Sequence, residues 1–172
     1  MSLPHQRYLQ FRLDAYQEAM QNLRGRIKGD FKIVEINNRA YQAVLDQWDR
    51  HGRNPNADWD WRELMRRYRD PDRLDIAIWS HSDRISGLAL AVTTGPAVEL
   101  KFLEADPRAD CPLRGKRALI ALEIVACYAQ ARGKREIRVR PINEPVARLY
   151  RDIYGFELVT QPKMTGYLMR RV

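Results

Sequence analysis

The chain has 172 residues, 45% of them hydrophobic and 30% charged, which is the length and balance of one soluble domain with a core of its own. Its formal net charge of +8 favours phosphate-rich or acidic partners, whether nucleic acid, nucleotide cofactors or acidic proteins. No apolar stretch reaches the ~18 residues of a membrane span, and residues 1–28 carry Arg7, Arg12, Asp14 and Glu18 in place of the apolar core of a signal peptide. Cys111 and Cys127 lack disulfide or metal-ligand spacing, and His5, His51 and His81 are scattered among polar residues. The expectation is a cytoplasmic, metal-independent protein.

In chain order, residues 5–27 read as an amphipathic helix bearing Tyr8, Phe11, Leu13, Ala15, Tyr16 and Met20, ended by Gly25 and Gly29. DFKIVEI (30–36) reads as a strand by β-branching and alternation. NNRAYQAVLDQWDR (37–50) returns to helical period, HGRNPNAD is a loop, and WDWRELMRRYRDP (59–71) is a short basic helix stopped before Pro71. Arg62, Arg66 and Arg69 share a face of it, a solvated face or a nucleic-acid contact. Three strands follow, LDIAIWS, ISGLALAV and VELKFLEA, joined by the turn-rich HSDR and TTGPA.

The next segment, CPLRGKRALIALEIVACYAQARGK, sets Arg114, Lys116 and Arg117 at the start of a helix over 116–132, where partial positive charge already gathers. Lys116, Glu123 and Gln130 recur at sevens, a narrow polar stripe on an otherwise buried helix, and Gly133 suits its C-cap. REIRVRPI (135–142) is a strand. NEPVARLYRDIYG is a helix with Asn143 as N-cap and Pro145 in its first turn. FELVT and GYLMRRV close the chain as strands. After the leading helix the order is β-α-α-β-β-β-α-β-α-β-β, an α/β domain whose mixed sheet has helices on both faces and a parallel crossover between 97 and 142.

Three stretches carry a resemblance to the GNAT superfamily of N-acetyltransferases. LKFLEADP (100–107) is similar to the fourth strand of that fold, and LRGKRALIAL is similar to its pyrophosphate loop, (Arg or Gln)-x-x-Gly-x-(Gly or Ala) opening a helix. NEPVARLYRDIYGF (143–156) is similar to its Asn-x-x-Ala-x-x-Leu-Tyr segment followed by Gly-Phe. The order matches over residues 30–172, with residues 1–29 as an N-terminal helical extension. The resemblance implies a mixed central sheet covered by helices and an acetyl-CoA-dependent transfer to an amine. It implies that Arg114, Gly115, Lys116, Arg117 and Ala118 cradle a pyrophosphate, consistent with the orphan N–H groups and dipole of a helix start. It further implies backbone bonds from Leu103, Glu104 and Ala105 to a pantetheine arm, with Asn143 nearby. With Arg114 as the first motif position, Arg117 and Leu119 stand where glycine or alanine is usual, and the loop before it is about three residues longer than the common form.

In the family the tyrosine seven residues after the asparagine often protonates the departing thiolate, which makes Tyr150 the candidate acid. A phenol of pKa near ~10 holds its proton at neutral pH. Val146, Leu149, Tyr150 and Ile153 also form a helical stripe, so Tyr150 reads equally as core, and one extra residue before Gly155 leaves Tyr154 as a rival. Glu99 and Glu104 on the fourth strand are candidate bases or solvated carboxylates. Arg138 and Arg140 share a face of their strand. Arg140 is expected either to select an acceptor bearing a carboxylate or phosphate, or to pair with Glu99 or Glu104. The acceptor is a small-molecule or peptide amine, with an aminoacylated nucleic acid among the alternatives. A catalytically silent GNAT-like binding protein, suggested by Arg117 and Leu119, and a nucleic-acid-associated protein are the rival classes, and a homodimer is compatible with either.

Overall fold

The computed structural model describes residues 2–55, 57–81, 83–141, 143–162 and 164–172; Asn56, Ser82, Ile142 and Lys163, which belong to the expected turns and strand ends, lie outside them. The elements are α1 (Leu3–Leu23), β1 (Phe31–Val34), α2 (Asn38–Gln47), α3 (Trp61–Arg67), β2 (Arg73–Ser80), β3 (Arg84–Thr94), β4 (Ala97–Ala105), α4 (Arg117–Ala131), β5 (Glu136–Val139), α5 (Glu144–Asp152), β6 (Glu157–Gln161) and β7 (Met164–Arg171). This is the order the sequence patterning gives. Among the described residues seven strands form one sheet, β1-β2-β3-β4-β5-β7-β6, in which β4 and β5 pair in parallel and every other pair is antiparallel.

Alternation along the central strands divides the core in two. Leu74, Ile76 and Ile78 of β2 and Ala89 and Ala91 of β3 pack with α1 and α4, while Ala77, Trp79, Leu88 and Leu90 pack with α2 and α3. Side chains of a strand point to opposite faces in turn, so a sheet apolar on both faces must be covered on both. The N-terminal helix is built into the first of these cores, with Ala15, Tyr16, Ala19 and Leu23 buried and Leu13 on the outer face. The Tyr16 hydroxyl donates to the Asp75 carbonyl, and Asn22 Nδ2 donates to Glu123 Oε1 at 2.9 Å, joining α1 to the sheet and to α4. No helix among the described residues is long and apolar enough to cross a membrane.

Several boundaries are tighter than the patterning implies. The first helix ends at Leu23, because Arg24 has extended backbone and Gly25 takes φ +79°. The α3 helix starts after Asp60, whose carboxylate accepts from Glu63 N at 3.0 Å, and stops at Arg67; Arg69 therefore leaves the helical face expected to hold it with Arg62 and Arg66. The β5 strand stops at Val139, paired to Leu100 on one side and Leu168 on the other. Pro141, two residues on, has no N–H to extend the ladder.

Candidate active site

The site begins where two parallel strands part. The last β4–β5 pair is Leu100↔Val139, yet β4 continues to Ala105 without a β5 partner. A β-bulge helps it turn away: Leu90 pairs with Phe102 and Ala91 with Leu100, leaving Lys101 as the extra residue. A bulge bends its strand and re-aims the residues beyond it. Half of the β4 backbone groups past Leu100 therefore face an open edge, where they need a partner from elsewhere.

A cavity of about 290 Å³ fills this V, its lining mostly apolar, with Leu100, Phe102, Val139 and Val146 along the walls. The lining takes in Leu103, Glu104 and Ala105 from β4, Ala118 from the first turn of α4, Arg140 from beyond β5 and Tyr150 from α5. Six residues named from the sequence, drawn from four segments, thus meet at one cavity. The HGRNPNAD loop and Trp59 after it, given no role at the site from the sequence, supply its far wall: Asn54, Ala57 and Trp59, with the Trp59 ring edge-on to Phe102 at 5.2 Å.

Tyr150 is buried, 6% exposed, with its ring edge-on to Phe156 at 5.4 Å. Burial first, and then the neighbouring Tyr154, push its phenol up to about 12. Tyr154 is half-buried outside the cavity lining. The geometry separates the two tyrosines that spacing leaves tied, and places Tyr150 at the cavity.

The carboxylates divide as well. Glu99 is buried and does not line the cavity; its Oε1 accepts from Arg140 Nε at 3.0 Å and its Oε2 lies 3.6 Å from Lys101 Nζ. Outside the cavity lining and engaged by Arg140 and Lys101, Glu99 is placed as a counter-ion for Arg140. This is the pairing expected as the alternative to anion selection by Arg140. Glu104 does line the cavity and is 3% exposed. Arg53 grips both its oxygens, Nε to Oε2 and Nη2 to Oε1, each at 2.7 Å, and Trp61 Nε1 adds a third bond to Oε1 at 2.7 Å. Burial pushes the Glu104 carboxyl up, against the pull of these donors. Arg53 also donates to Asp49 at 3.0 Å and to the Trp59 carbonyl at 2.8 Å, so this pair fastens the wall around Trp59 to the splayed end of β4.

The basic turn leads from β4 into α4. Arg114 and Gly115 are exposed, Gly115 at φ +80°, a conformation that favours glycine. The first α4 bond runs from Ile120 N to Lys116 O at 3.0 Å, and no side chain caps the helix. The N–H groups of Arg117, Ala118 and Leu119 precede that bond and have no partner within the helix. Ala118 alone of the five turn residues lines the cavity, so the turn stands at its mouth. Asn143 lies outside that lining; its Oδ1 accepts from Val146 N at 3.0 Å as the N-cap of α5. No three His, Cys, Asp or Glu side chains gather as a metal-ligand cluster among the described residues.

Family models and curated proteins give no match to this sequence. Solved structures do. The chain is similar to a GNAT-family acetyltransferase from Staphylococcus aureus Mu50, with a TM-score of 0.60 and 15% identity, covering 83% of this chain and 99% of that one. It is also similar to the ribosomal-protein-S18-alanine N-acetyltransferase of Escherichia coli (0.56, 14%, 81% and 91%). A third similar structure is the PaiA N-acetyltransferase of Thermoplasma acidophilum in complex with coenzyme A (0.53, 13%, 83% and 99%). The sheet parted between β4 and β5 and the coverage of these structures define the class: the chain has the fold of the GNAT acetyltransferases.

Proposed function

We propose that the protein is an acetyl-CoA-dependent N-acetyltransferase acting on a small-molecule or peptide amine. The observation that carries this reading is the cavity in the β4–β5 splay, at which an uncapped helix start and a buried tyrosine meet. Acetyl-CoA suits these residues. Its pantetheine arm is an amide chain that an open strand edge can bond, and its pyrophosphate is the anion that an uncapped helix start attracts. When bound, it supplies a thioester whose carbonyl accepts the amine.

The N–H groups of the β4 edge hold and polarise that carbonyl, as fixed donors do where negative charge develops. Arg114 and Lys116 add charge beside the α4 amides at the pyrophosphate. The acceptor approaches from the Trp59–Phe102 wall as a neutral amine and attacks directly, without a covalent enzyme intermediate. Glu104, the carboxylate in the lining, is placed to receive the amine's proton, directly or through water. Tyr150 Oη gives its proton to the leaving sulfur. A phenol near 12 is a weak acid beside a thiol in water. The desolvation that raises it also disfavours a thiolate in the same cavity, which makes that sulfur a better proton acceptor.

Acetyl-CoA should raise the melting temperature, since a ligand that binds only the folded state stabilises it by mass action. Arg114→Glu should remove most of that shift. A melting curve unmoved by millimolar acetyl-CoA would favour the silent-relative reading.

A further inference from the structure

We propose that Arg117 is the positioning residue of the basic turn, a strut that fixes the path from β4 to α4. This rests on the reading of the turn as the pyrophosphate site. Arg117 stands where the GNAT pattern has glycine, and there a long cation should either contact the phosphate or obstruct it. Its side chain folds back onto the sheet, where Nη1 donates to the Asp106 carbonyl at 3.0 Å.

The sheet is shaped to receive it. Gly87 of β3 pairs with Ala105, the last residue of β4, and a Cβ on Gly87 would meet Arg117 Cγ at 3.5 Å and Ile78 Cδ1 at 3.4 Å. The arginine stem lies where a side chain at position 87 would stand. Asp106, the residue whose carbonyl it grips, is itself fixed on every side. Its N–H donates to Ser86 O at 3.0 Å. Its buried carboxylate accepts from Arg108 N and Nε on Oδ1, at 3.0 and 2.9 Å, and from Arg84 Nε and Arg108 Nη2 on Oδ2, at 3.0 and 2.9 Å. Three arginines thus converge on one aspartate at the hinge between strand and turn. Through Arg117 that rigid point is tied to the first residue of α4, beside Ala118 in the cavity lining. The strut holds the first-turn N–H groups at the cavity mouth, in place of the close backbone approach that glycine would give.

Strut, phosphate ligand and obstruction differ in their signatures, and the full-length chain distinguishes them as wild type, Arg117→Ala, Arg117→Lys and Gly87→Val. Two measurements serve: amide hydrogen exchange of residues 106–119 without ligand, and CoA titration alongside steady-state kinetics. For a strut, Arg117→Ala exchanges faster over 106–119 and little elsewhere. It binds CoA about 10-fold more weakly, the scale of one charge-assisted hydrogen bond. KM for acetyl-CoA rises while kcat at saturation holds, and Arg117→Lys recovers part of the loss. Gly87→Val displaces the stem without removing its charge, so it should resemble Arg117→Ala, and the double variant should be no worse than either single one. Unchanged exchange in both Arg117→Ala and Gly87→Val would overturn the strut. Weaker CoA binding with unchanged exchange would make Arg117 a phosphate ligand, and tighter binding on truncation would make it an obstruction. If the wild type binds no CoA, the enzyme reading fails while hydrogen exchange still decides the strut. Should Arg117→Ala fail to fold, Arg117→Lys and Gly87→Val carry the same comparison.

Discussion

Tyr150→Phe should lower acetyl transfer ~10²-fold or more while leaving CoA affinity nearly intact, the range for loss of a general acid. The substitution removes one oxygen and keeps the ring, and the ring makes the packing contacts, 5.4 Å from Phe156 and 5.9 Å from Tyr154. No described residue takes a hydrogen bond from the Tyr150 hydroxyl, so its loss strands no buried partner. Stability should change by less than about 1 kcal/mol, as expected when no hydrogen-bond partner is lost. Tyr154→Phe, outside the cavity, should leave turnover near wild type. A Tyr150→Phe variant that turns over normally, or that loses only stability, would make Tyr150 a core residue and remove the acid from the mechanism.

Asp72→Ala should give the largest loss of stability. Its carboxylate accepts from Arg132 Nε at 2.9 Å and Nη2 at 2.6 Å, from the Tyr128 hydroxyl at 2.7 Å and from Thr93 Oγ1 at 2.8 Å. It fastens the C-terminal end of α4 to β3 and to the start of β2. Removing it leaves a guanidinium and a buried phenol without their acceptor. The site is half-buried, so the cost should fall between the limits for exposed and fully buried pairs, about 2–4 kcal/mol. Burial alone would raise the Asp72 carboxyl, but the bonds from Arg132, Tyr128 and Thr93 outweigh it and hold the group below the usual carboxylate range. A depressed folded pKa contributes stability that is present above the ordinary aspartate range and lost as pH falls through the lowered value. Urea midpoints measured from neutral to acid pH should fall for the wild type and fall less for Asp72→Ala. Equal midpoints at neutral pH would show that the cluster contributes nothing.

The order of elements was legible because each carries its own period. Alternation marks β1, the turn-rich HSDR and TTGPA set off β2 to β4, and the basic turn before an apolar run marks α4. The tyrosine on α5 was legible as a pair of candidates, and only the tertiary placement of one at the cavity divides them. What stayed hidden depends on contacts far apart in sequence. Glu104 reads as an ordinary strand carboxylate until Arg53 and Trp61 close on it, and the aromatic wall at Trp59 exists only once its loop folds over Phe102. The bulge at Lys101 leaves no local signature in a strand of apolar and charged residues. Arg117 reads as a defect in a phosphate motif, and its role appears only with Gly87 and Asp106 beside it. Glu99 reads as a candidate base because alternation gives its face, and its pairing with Arg140, just beyond β5, appears only in the fold.

Titration calorimetry on two proteins tests whether the β4–β5 splay holds acetyl-CoA. Ala118 lines the cavity at the first turn of α4 and is half-buried, so Ala118→Trp should fill the mouth of the splay with little cost to folding. The wild type should bind one acetyl-CoA per chain, and Ala118→Trp, melting near the wild-type temperature, should bind at least ~10-fold more weakly, the scale of blocking the mouth of a largely preformed pocket. No heat from the wild type at millimolar acetyl-CoA, or equal binding by both proteins, would contradict it.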